Sequence, residues 1–244
     1  MLVPALRRHE IPRMRSQVQE MFGRIAHRYD FLNHLLSLGL DRGWRRRALA
    51  RLGWTRIPDG HFLDACAGTL DVSVALAGQR EFRGTVVAVD FAEPMLRSGK
   101  SKARGRPVFP VTGDTMRLPL RDASCAGAIV AFGIRNVADL DLGLSEISRV
   151  LAPGARLVVL EFTTPPSRLV RSAYHLYFHH IVPLVGGWIS GQRDAYRYLP
   201  ESVAAFPRPD VLAQRMRAAG LADVTWTSLT FGVAAIHAGT RPAS

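Results

Sequence analysis

The sequence is poor in cysteine and has no long apolar run. Its 244 residues include two cysteines, Cys66 and Cys125, too few for a disulfide framework. Both lie in apolar runs that predict strands, so we interpret them as buried free thiols, as in a reducing cytoplasm. The most apolar stretch, LYFHHIVPLVGGWISG, is broken by histidines, a proline and a glycine pair, and no segment reaches the roughly 18 residues of a membrane-spanning helix. The start, MLVPALRRHE, lacks an apolar signal-peptide core. We therefore expect a soluble or peripheral protein.

The sequence has few acidic residues relative to basic ones: 20 aspartates and glutamates against 32 lysines and arginines, a formal net charge of +12. The excess is concentrated in residues 1–51 and is carried by arginine rather than lysine. Anionic lipid and nucleic acid are both physically able to bind such a segment, and a solvated arginine-rich surface explains it equally well. No aromatic stacking platform accompanies the arginines, which argues against nucleic acid.

Phosphate-binding glycine motifs are also missing. The stretch FLDACAGTLD (62–71) reads as a strand, a turn and the start of a helix, but of the glycines in G-x-G-x-x-G it has Gly68 alone. Asp71 at the helix start would repel a phosphate from the positive end of the helix. We predict that only Gly68 needs a positive φ, and that Ala67 and Leu70 adopt ordinary backbone conformations.

Apolar runs alternate with helical stretches from residue 61 onward, in the manner of repeated βαβ units. Two helices are expected within 14–51, the second with Asp41 as its cap. Strands are expected at 61–65, 85–91, 108–114, 126–134 and 155–162, followed by a helical insertion at 167–190, a helix from Pro209 and two final strands. These last strands are too close in sequence for a crossover helix and should pair antiparallel. The pattern predicts an α/β fold with a mostly parallel sheet, helices on both faces and an antiparallel edge hairpin.

Acidic residues stand at the ends of successive predicted strands: Asp64, Asp90 and Asp114, with Asp71 opening the first helix. In a Rossmann-type sheet the acid after the second strand contacts ribose hydroxyls. Asp114 can accept from an adenine amino group, while Asp64 and Asp71 can face positive charge. A cationic nucleoside without phosphate, S-adenosylmethionine, fits this arrangement, and each acid alone could instead cap a turn.

Several segments resemble, in order and spacing, the ubiquinone/menaquinone biosynthesis C-methyltransferase family. They include VQEMFGRIAHRYDFLNHLLSLGLDRGWRRRAL, DACAGTLD, AVDFAEPML, GDTMRLPL, AFGIRNV, RVLAPGARLVVLEF and YRYLPESVAAFP, within residues 17–240. The resemblance implies a Rossmann-like class I methyltransferase fold with a seven-stranded sheet, and the methylation of a ring carbon of a polyprenylated quinol. YRYLPESVAAFP slightly favours the menaquinone branch, which makes the chain demethylmenaquinone methyltransferase-like.

The resemblance also implies site residues. Thr69, Asp90, Asp114 and Thr115 match cofactor contacts, beside Asp64, Gly68 and Asp71 from the argument above. Tyr29, Asp30, Asn33, Arg135 and Asn136 match positions expected to face the quinol. Arg135, always protonated, would stabilise the quinol anion, and water or Asp30 would take the proton. The chain departs from the family at Ala67, Leu70 and Ala131, where glycine, glycine and serine are usual. The alanine at 131 lacks the hydroxyl with which the family's serine contacts the cofactor.

We expect no metal requirement, because the His175/His179 pair has no evident third ligand. The predicted units are a basic arm with helices (1–51) and a methyltransferase domain (52–244). Expected partners are the quinol and an anionic membrane surface, with no nucleic acid; a homodimer is left open. The expected location is the cytoplasm, or peripherally the inner face of the cytoplasmic membrane. A benzoquinol or secondary-metabolite methyltransferase, and a non-catalytic subunit of a quinone-making assembly, remain alternatives.

Overall fold

The computed structural model describes residues 20, 21, 23, 26, 37, 39, 40–176 and 193–243, apart from the side chains of 173–175, 193–197 and 199. The strands are β1 His61–Ala65, β2 Thr85–Asp90, β3 Val108–Thr112, β4 Cys125–Ala131, β5 Leu151–Phe162, β6 Ala222–Leu229 and β7 Ala234–Thr240. The helices are α1 Leu40–Leu52, α2 Asp71–Ala77, α3 Glu93–Ala103, α4 Leu140–Val150, α5 Arg168–Leu176, α6 Arg193–Ala205 and α7 Pro209–Ala218.

These strands form one seven-stranded sheet in the order β3-β2-β1-β4-β5-β7-β6. The first five strands are parallel, and β7 is antiparallel to both β5 and β6. The predicted parallel sheet with its antiparallel edge hairpin is confirmed. Strand order reverses between β1 and β4, and a crevice at that reversal is where such sheets bind ligands.

Alternating apolar residues explain why helices cover both faces. On β5, Val158 and Leu160 face a core built with α1, α2 and α3, whereas Leu157 and Val159 face a core built with α4 and α7. All four side chains are fully buried. A strand buried on both faces is a nearly continuous apolar run, which is why the sequence predicts these strands so directly.

Helix α1 is an integral part of the first core. Its Trp44, Ala48, Leu49 and Leu52 are buried in the cluster that contains Phe62 of β1, and Trp44 Nε1 donates to Thr230 Oγ1 at 3.1 Å. The predicted capping role of Asp41 is wrong: the helix is preceded by Gly39 at φ 73°, and no side chain caps it. Asp41 instead lies in the first turn and accepts from Ser37 Oγ at 2.7 Å.

The starts of α4 and α7 are explained by the residues found there. Asp139 caps α4 by accepting from Leu142 N at 3.0 Å, and α7 begins at Pro209 as predicted. Of the predicted insertion at 167–190, α5 is described and 177–190 lie outside the described residues. Within the described part of the chain, no helix is long and apolar enough to cross a membrane.

Candidate active site

A cavity opens at the carboxyl ends of β1, β2 and β4, beside the reversal of strand order. Its walls are the turn after β1 (Cys66, Ala67, Gly68, Thr69), the end of β2 (Asp90, Phe91) and the end of β4 (Ala131, Phe132, Gly133, Asn136), with Met95 of α3 and Arg45 of α1. The charged residues in this lining are Arg45 and Asp90. The position is the one that the fold predicts for a ligand.

The turn after β1 is more contorted than the sequence predicts. Gly68 has φ 54°, as expected, but Leu70 has φ 68° and Cys66 has φ 55°. The prediction that Leu70 adopts an ordinary conformation is therefore wrong. Leu70 N donates to Ala67 O at 3.0 Å, which closes a tight turn immediately before α2. The side chain of Leu70 is fully buried, and this burial offsets the cost of about 1–2 kcal/mol for a left-handed residue.

Gly68 leaves space on the cavity side of this turn. A Cβ atom added at Gly68 would have Met95 Cε, at 3.7 Å, as its nearest neighbour, so a larger side chain would extend into the cavity. Gly99 on α3 has the opposite role, since a Cβ there would lie 2.4 Å from the carbonyl oxygen of Thr69. The turn is thus packed tightly against α3 on one side and open to the cavity on the other, which suits a ligand lying along its backbone.

Asp90 is held rigidly at the edge of the cavity. Its Oδ2 accepts from Gly68 N and its Oδ1 from Ala92 N, both at 2.8 Å. Burial raises the pKa of this carboxyl, and the two amide hydrogen bonds oppose the rise. Each oxygen keeps a second lone pair for a ligand hydroxyl. The geometry fits the predicted ribose contact, which stays a prediction.

Asp64 and Asp71 have partners within the protein. Asp64 is buried and accepts from Ser73 Oγ at 2.6 Å, and burial raises its pKa to about 7. Asp71 forms an ion pair with Lys102 Nζ at 2.6 Å. Neither belongs to the cavity lining, so their predicted contacts with positive ligand charge stay predictions.

The other predicted cofactor residues lie on the loops around the cavity. Thr69 is buried and lines it. Thr115 is buried behind the lining, with its Oγ1 3.4 Å from the sulfur of Cys66. Asp114 Oδ1 accepts from Met116 N at 2.9 Å, which fixes the loop after β3. The contacts of Thr69, Thr115 and Asp114 with a cofactor stay predictions.

The two cysteines differ from their predicted setting. Cys125 is buried in β4, as expected. Cys66 is half-buried and lies in the turn after β1, where it lines the cavity, so its assignment to a strand is wrong. Burial raises the pKa of the Cys66 thiol, which keeps it protonated and a poor nucleophile.

Arg135, at the turn after β4, is held by a buried ion pair. Its Nη1 donates to Glu161 Oε1 at 2.8 Å and to Phe132 O at 2.6 Å, and its Nε donates to Ser202 Oγ at 3.3 Å. The side chains of Arg135 and Glu161 are 4% and 1% exposed. The guanidinium is outside the cavity lining. These contacts favour a positioning role for Arg135, and direct stabilisation of a quinol anion stays a prediction.

Asn136 lines the cavity next to this ion pair. Tyr198 of α6 donates its hydroxyl to Asn136 Oδ1 at 3.0 Å. Because the carboxamide oxygen accepts from tyrosine, the amide –NH2 is the group that can donate to a ligand oxygen. Tyr29, Asp30 and Asn33, also predicted to face the quinol, lie outside the described residues.

Sequence reasoning overlooked several residues of this site: Arg45, Phe132, Glu161 and Tyr198. Phe132 has φ 62°, and its ring packs on Phe162 at a centroid distance of 4.6 Å. Glu161 and Tyr198 lie within VVLEF and YRYLPES, segments that carry the family resemblance. A buried acid at the end of an apolar strand was the available signal for Glu161.

The described part of the site offers a carboxylate fixed by two amide hydrogen bonds and an open glycine turn, features that fit an adenosyl amino acid. In the described part of the chain, no group of three or more histidine, cysteine or acidic side chains could hold a metal ion.

Comparison with known proteins agrees with this geometry. Residues 11–241 match the ubiE/COQ5 methyltransferase family. A demethylmenaquinone methyltransferase of Thermus thermophilus is 49% identical over 224 residues, 91% of this chain and 100% of the relative. One of Deinococcus radiodurans is 46% identical over 92% of each chain. The ubiquinone/menaquinone biosynthesis C-methyltransferase of Geobacter sulfurreducens is 42% identical over 93% of this chain and 89% of its own.

Solved structures share the fold at low identity. An S-adenosylmethionine-dependent methyltransferase of Thermotoga maritima aligns with a TM-score of 0.62 at 20% identity, over 91% of this chain and 99% of its own. A phosphoethanolamine N-methyltransferase of Haemonchus contortus, in complex with S-adenosylmethionine, aligns with a TM-score of 0.58 at 14% identity, over 81% and 52%. The predicted Rossmann-like methyltransferase fold is thereby confirmed. By its sequence match over nearly the whole length, this chain belongs to the ubiE/COQ5 methyltransferase family.

Proposed function

We propose that this enzyme transfers a methyl group from S-adenosylmethionine to a ring carbon of a polyprenylated quinol, most specifically demethylmenaquinol. The observation that carries the proposal is near-full-length identity of 49% and 46% to two proteins named demethylmenaquinone methyltransferase. The cavity supports it independently, since Asp90 and Gly68 meet the needs of a nucleoside without phosphate.

When bound, S-adenosylmethionine supplies an electrophilic methyl group. The protein must then hold the quinol carbon in line with it, an orientation effect worth about 7–11 kcal/mol in favourable cases. The quinol carbon becomes nucleophilic when its neighbouring hydroxyl ionises, and a phenol of pKa about 10 needs help to do so at neutral pH.

Asn136 is the described residue best placed to help. Its amide –NH2 can donate to the quinol oxygen as negative charge develops there, with the carboxamide held by Tyr198. The Arg135–Glu161 ion pair would keep the turn that carries Asn136 in place. Tyr29, Asp30 and Asn33 remain candidates to contact the quinol and to take its proton.

The test uses purified protein, methyl-labelled S-adenosylmethionine and two chemically reduced substrates, a demethylated naphthoquinol and a benzoquinol. The proposal expects label in the naphthoquinol product, with Asp90→Ala as the low-activity control. Label in the benzoquinol alone would move the enzyme to the ubiquinone branch, which the name of the Geobacter relative covers. Absence of label in both products would overturn the proposal.

We also propose that the enzyme reaches its lipid-soluble substrate at an anionic membrane surface. Helix α1 exposes Arg42, Arg46, Arg47 and Arg51, and α5 exposes Leu169. Basic side chains attract anionic headgroups, and exposed apolar side chains can enter the interface.

A further inference from the structure

Arg45 stands out among the arginines of α1 because it lines the cavity. Its side chain is 13% exposed, whereas the neighbouring Arg46 and Arg47 face solvent. Its guanidinium lies 5.4 Å from the ring centroid of Phe132, the residue whose φ of 62° turns the chain beside the cavity. The position of α1 in the core thus brings one arginine to the ligand site.

The guanidinium of Arg45 is attracted by two carboxylates but hydrogen-bonded to neither. Its Nε is 3.5 Å from Asp41 Oδ2 and its Nη1 is 3.8 Å from Asp71 Oδ2, and its buried Nε has no hydrogen-bond partner. Both acids have a closer partner, Ser37 for Asp41 and Lys102 for Asp71. Arg45 therefore retains N–H donors on a planar fork that suits a carboxylate.

The cavity lining carries one cationic and one acidic side chain, Arg45 and Asp90, which suit two different parts of an adenosyl amino acid. Asp90 suits the ribose diol, as an acceptor for hydroxyl donors. Arg45 is the cationic residue of the lining, and the ligand carries one anionic group, its α-carboxylate. We propose that Arg45 binds the α-carboxylate of S-adenosylmethionine. The proposal rests on the proposed function for the identity of the cofactor only.

The test compares two ligands that differ by the carboxylate alone, S-adenosylmethionine and its decarboxylated form, by calorimetry without quinol. The unmodified protein should prefer the carboxylate-bearing ligand by at least tenfold. In Arg45→Gln this preference should fall to threefold or less, through loss of affinity for S-adenosylmethionine while the affinity for the decarboxylated form stays similar. Arg46→Gln removes the same charge from the same helix and should keep the full preference.

Arg45→Lys keeps the positive charge but lacks the planar guanidinium, so its preference for S-adenosylmethionine over the decarboxylated form should be intermediate. This variant replaces Arg45→Gln in the test if Arg45→Gln fails to fold. Equal weakening of both ligands in these variants would make Arg45 a structural residue and overturn the proposal. An unchanged ligand preference in Arg45→Gln would also overturn the proposal. If the KM for quinol, measured in a turnover assay, then rose while the ligand preference stayed unchanged, Arg45 would be assigned to the quinol oxygen instead. Since no quinol is present in the binding test, its result is independent of which quinol is methylated.

Discussion

Leu70 combines a left-handed backbone with complete burial, two properties with opposite effects on stability. At φ 68° a residue with a Cβ is strained, and glycine would relieve that strain. The buried leucine side chain packs within the first core, beside Val72 and Leu76, and glycine would lose that packing. The balance decides whether the turn tolerates substitution.

We expect Leu70→Gly and Leu70→Ala to reverse the usual order of these residues. Both lose about 2–5 kcal/mol of leucine packing, but alanine keeps the backbone strain, so the glycine variant should be the more stable by about 1 kcal/mol. Urea denaturation of the two variants measures the difference. An alanine variant at least as stable as the glycine variant would argue against a left-handed Leu70. Cofactor affinity of Leu70→Gly should stay within about tenfold, or 1.4 kcal/mol.

Asp64 makes stability depend on pH. Its pKa is raised from 3.8 to about 7, with burial as the largest cause, so the folded protein binds a proton that the unfolded chain releases at lower pH. Asp64 therefore contributes stability that is fully present below about pH 4 and is lost as pH rises toward and through 7.

We expect Asp64→Asn to abolish this dependence. The asparagine oxygen can still accept from Ser73 Oγ, and the side chain stays neutral at all pH values. Relative to the unmodified protein, the variant should gain about 1 kcal/mol or more of unfolding free energy between pH 5 and pH 8. Denaturation at both pH values checks this, and a constant difference would mean that Asp64 ionises as easily in the folded protein as in the unfolded chain.

At the level of elements, one buried ion pair joins three segments around the cavity. Glu161 is the penultimate residue of β5, Arg135 follows β4, and Ser202 and Tyr198 belong to α6. Glu161 also accepts from the backbone N of Phe162 at 2.9 Å. Burial raises the pKa of Glu161, and the attraction and hydrogen bonds of Arg135 oppose the rise. Removal of one partner of such a pair typically costs about 3–5 kcal/mol.

We expect Arg135→Lys to lower kcat more than tenfold while the Kd for S-adenosylmethionine changes less than threefold. Lysine cannot contact Glu161, Phe132 O and Ser202 Oγ together, so the turn carrying Asn136 loses its fixed position, whereas Asp90 and Gly68 are untouched. Asn136→Ala should show the same division. Ser202→Ala, which removes the 3.3 Å contact with Arg135 Nε and leaves the Arg135–Glu161 ion pair in place, is the control with near-normal kcat. Cofactor affinity that fell as much as turnover would assign Arg135 to stability alone.

At the level of the whole molecule, charge and apolar exposure are both pronounced. The net charge is +12, and Leu169 and Phe231 are each 81% exposed. The segment that leads to Leu169 contacts the turn that carries Phe231. Thr163 Oγ1 donates to Gly232 O at 2.6 Å, and a Cβ at Gly232 would lie 2.6 Å from Pro166 Cδ. Trp44 of α1 bonds to Thr230 in the same region. Basic and apolar groups thus share the carboxyl edge of the sheet, near the cavity.

We expect the protein to co-sediment with anionic vesicles at low salt and to be released as salt rises, because screening weakens the attraction of about 1 kcal/mol per basic side chain. The paired variant Arg42→Gln/Arg46→Gln should bind less. The control is Arg80→Gln/Arg83→Gln, which removes two exposed charges from the loop at the amino ends of the strands. Binding that is indifferent to salt and lipid charge, or equal loss in both paired variants, would contradict membrane docking at this edge.

Local pattern was enough to predict much of this protein. Strands buried on both faces are nearly continuous apolar runs, so β1, β2 and β4 could be predicted from the sequence. The short link between β6 and β7 required an antiparallel pair. Asp90 and Gly68, which line the candidate cavity, could be predicted because the carboxyl end of a strand and a glycine turn are properties of a few adjacent residues. The segments AFGIRNV and YRYLPES identified the family in the same local way.

Other features depend on residues far apart in the chain, and only the tertiary structure decided them. The positive φ of Leu70 occurs in a turn that packs against Gly99 of α3, where a Cβ would lie 2.4 Å from the carbonyl oxygen of Thr69. Glu161 faces Arg135 because β4 and β5 are neighbours in the sheet. Arg45 looked like one of many surface arginines; packing of Trp44, Ala48 and Leu49 against the sheet turned it into the cavity. A side chain's neighbours across 20 or more residues are set by how helices and strands pack, and no local pattern records that.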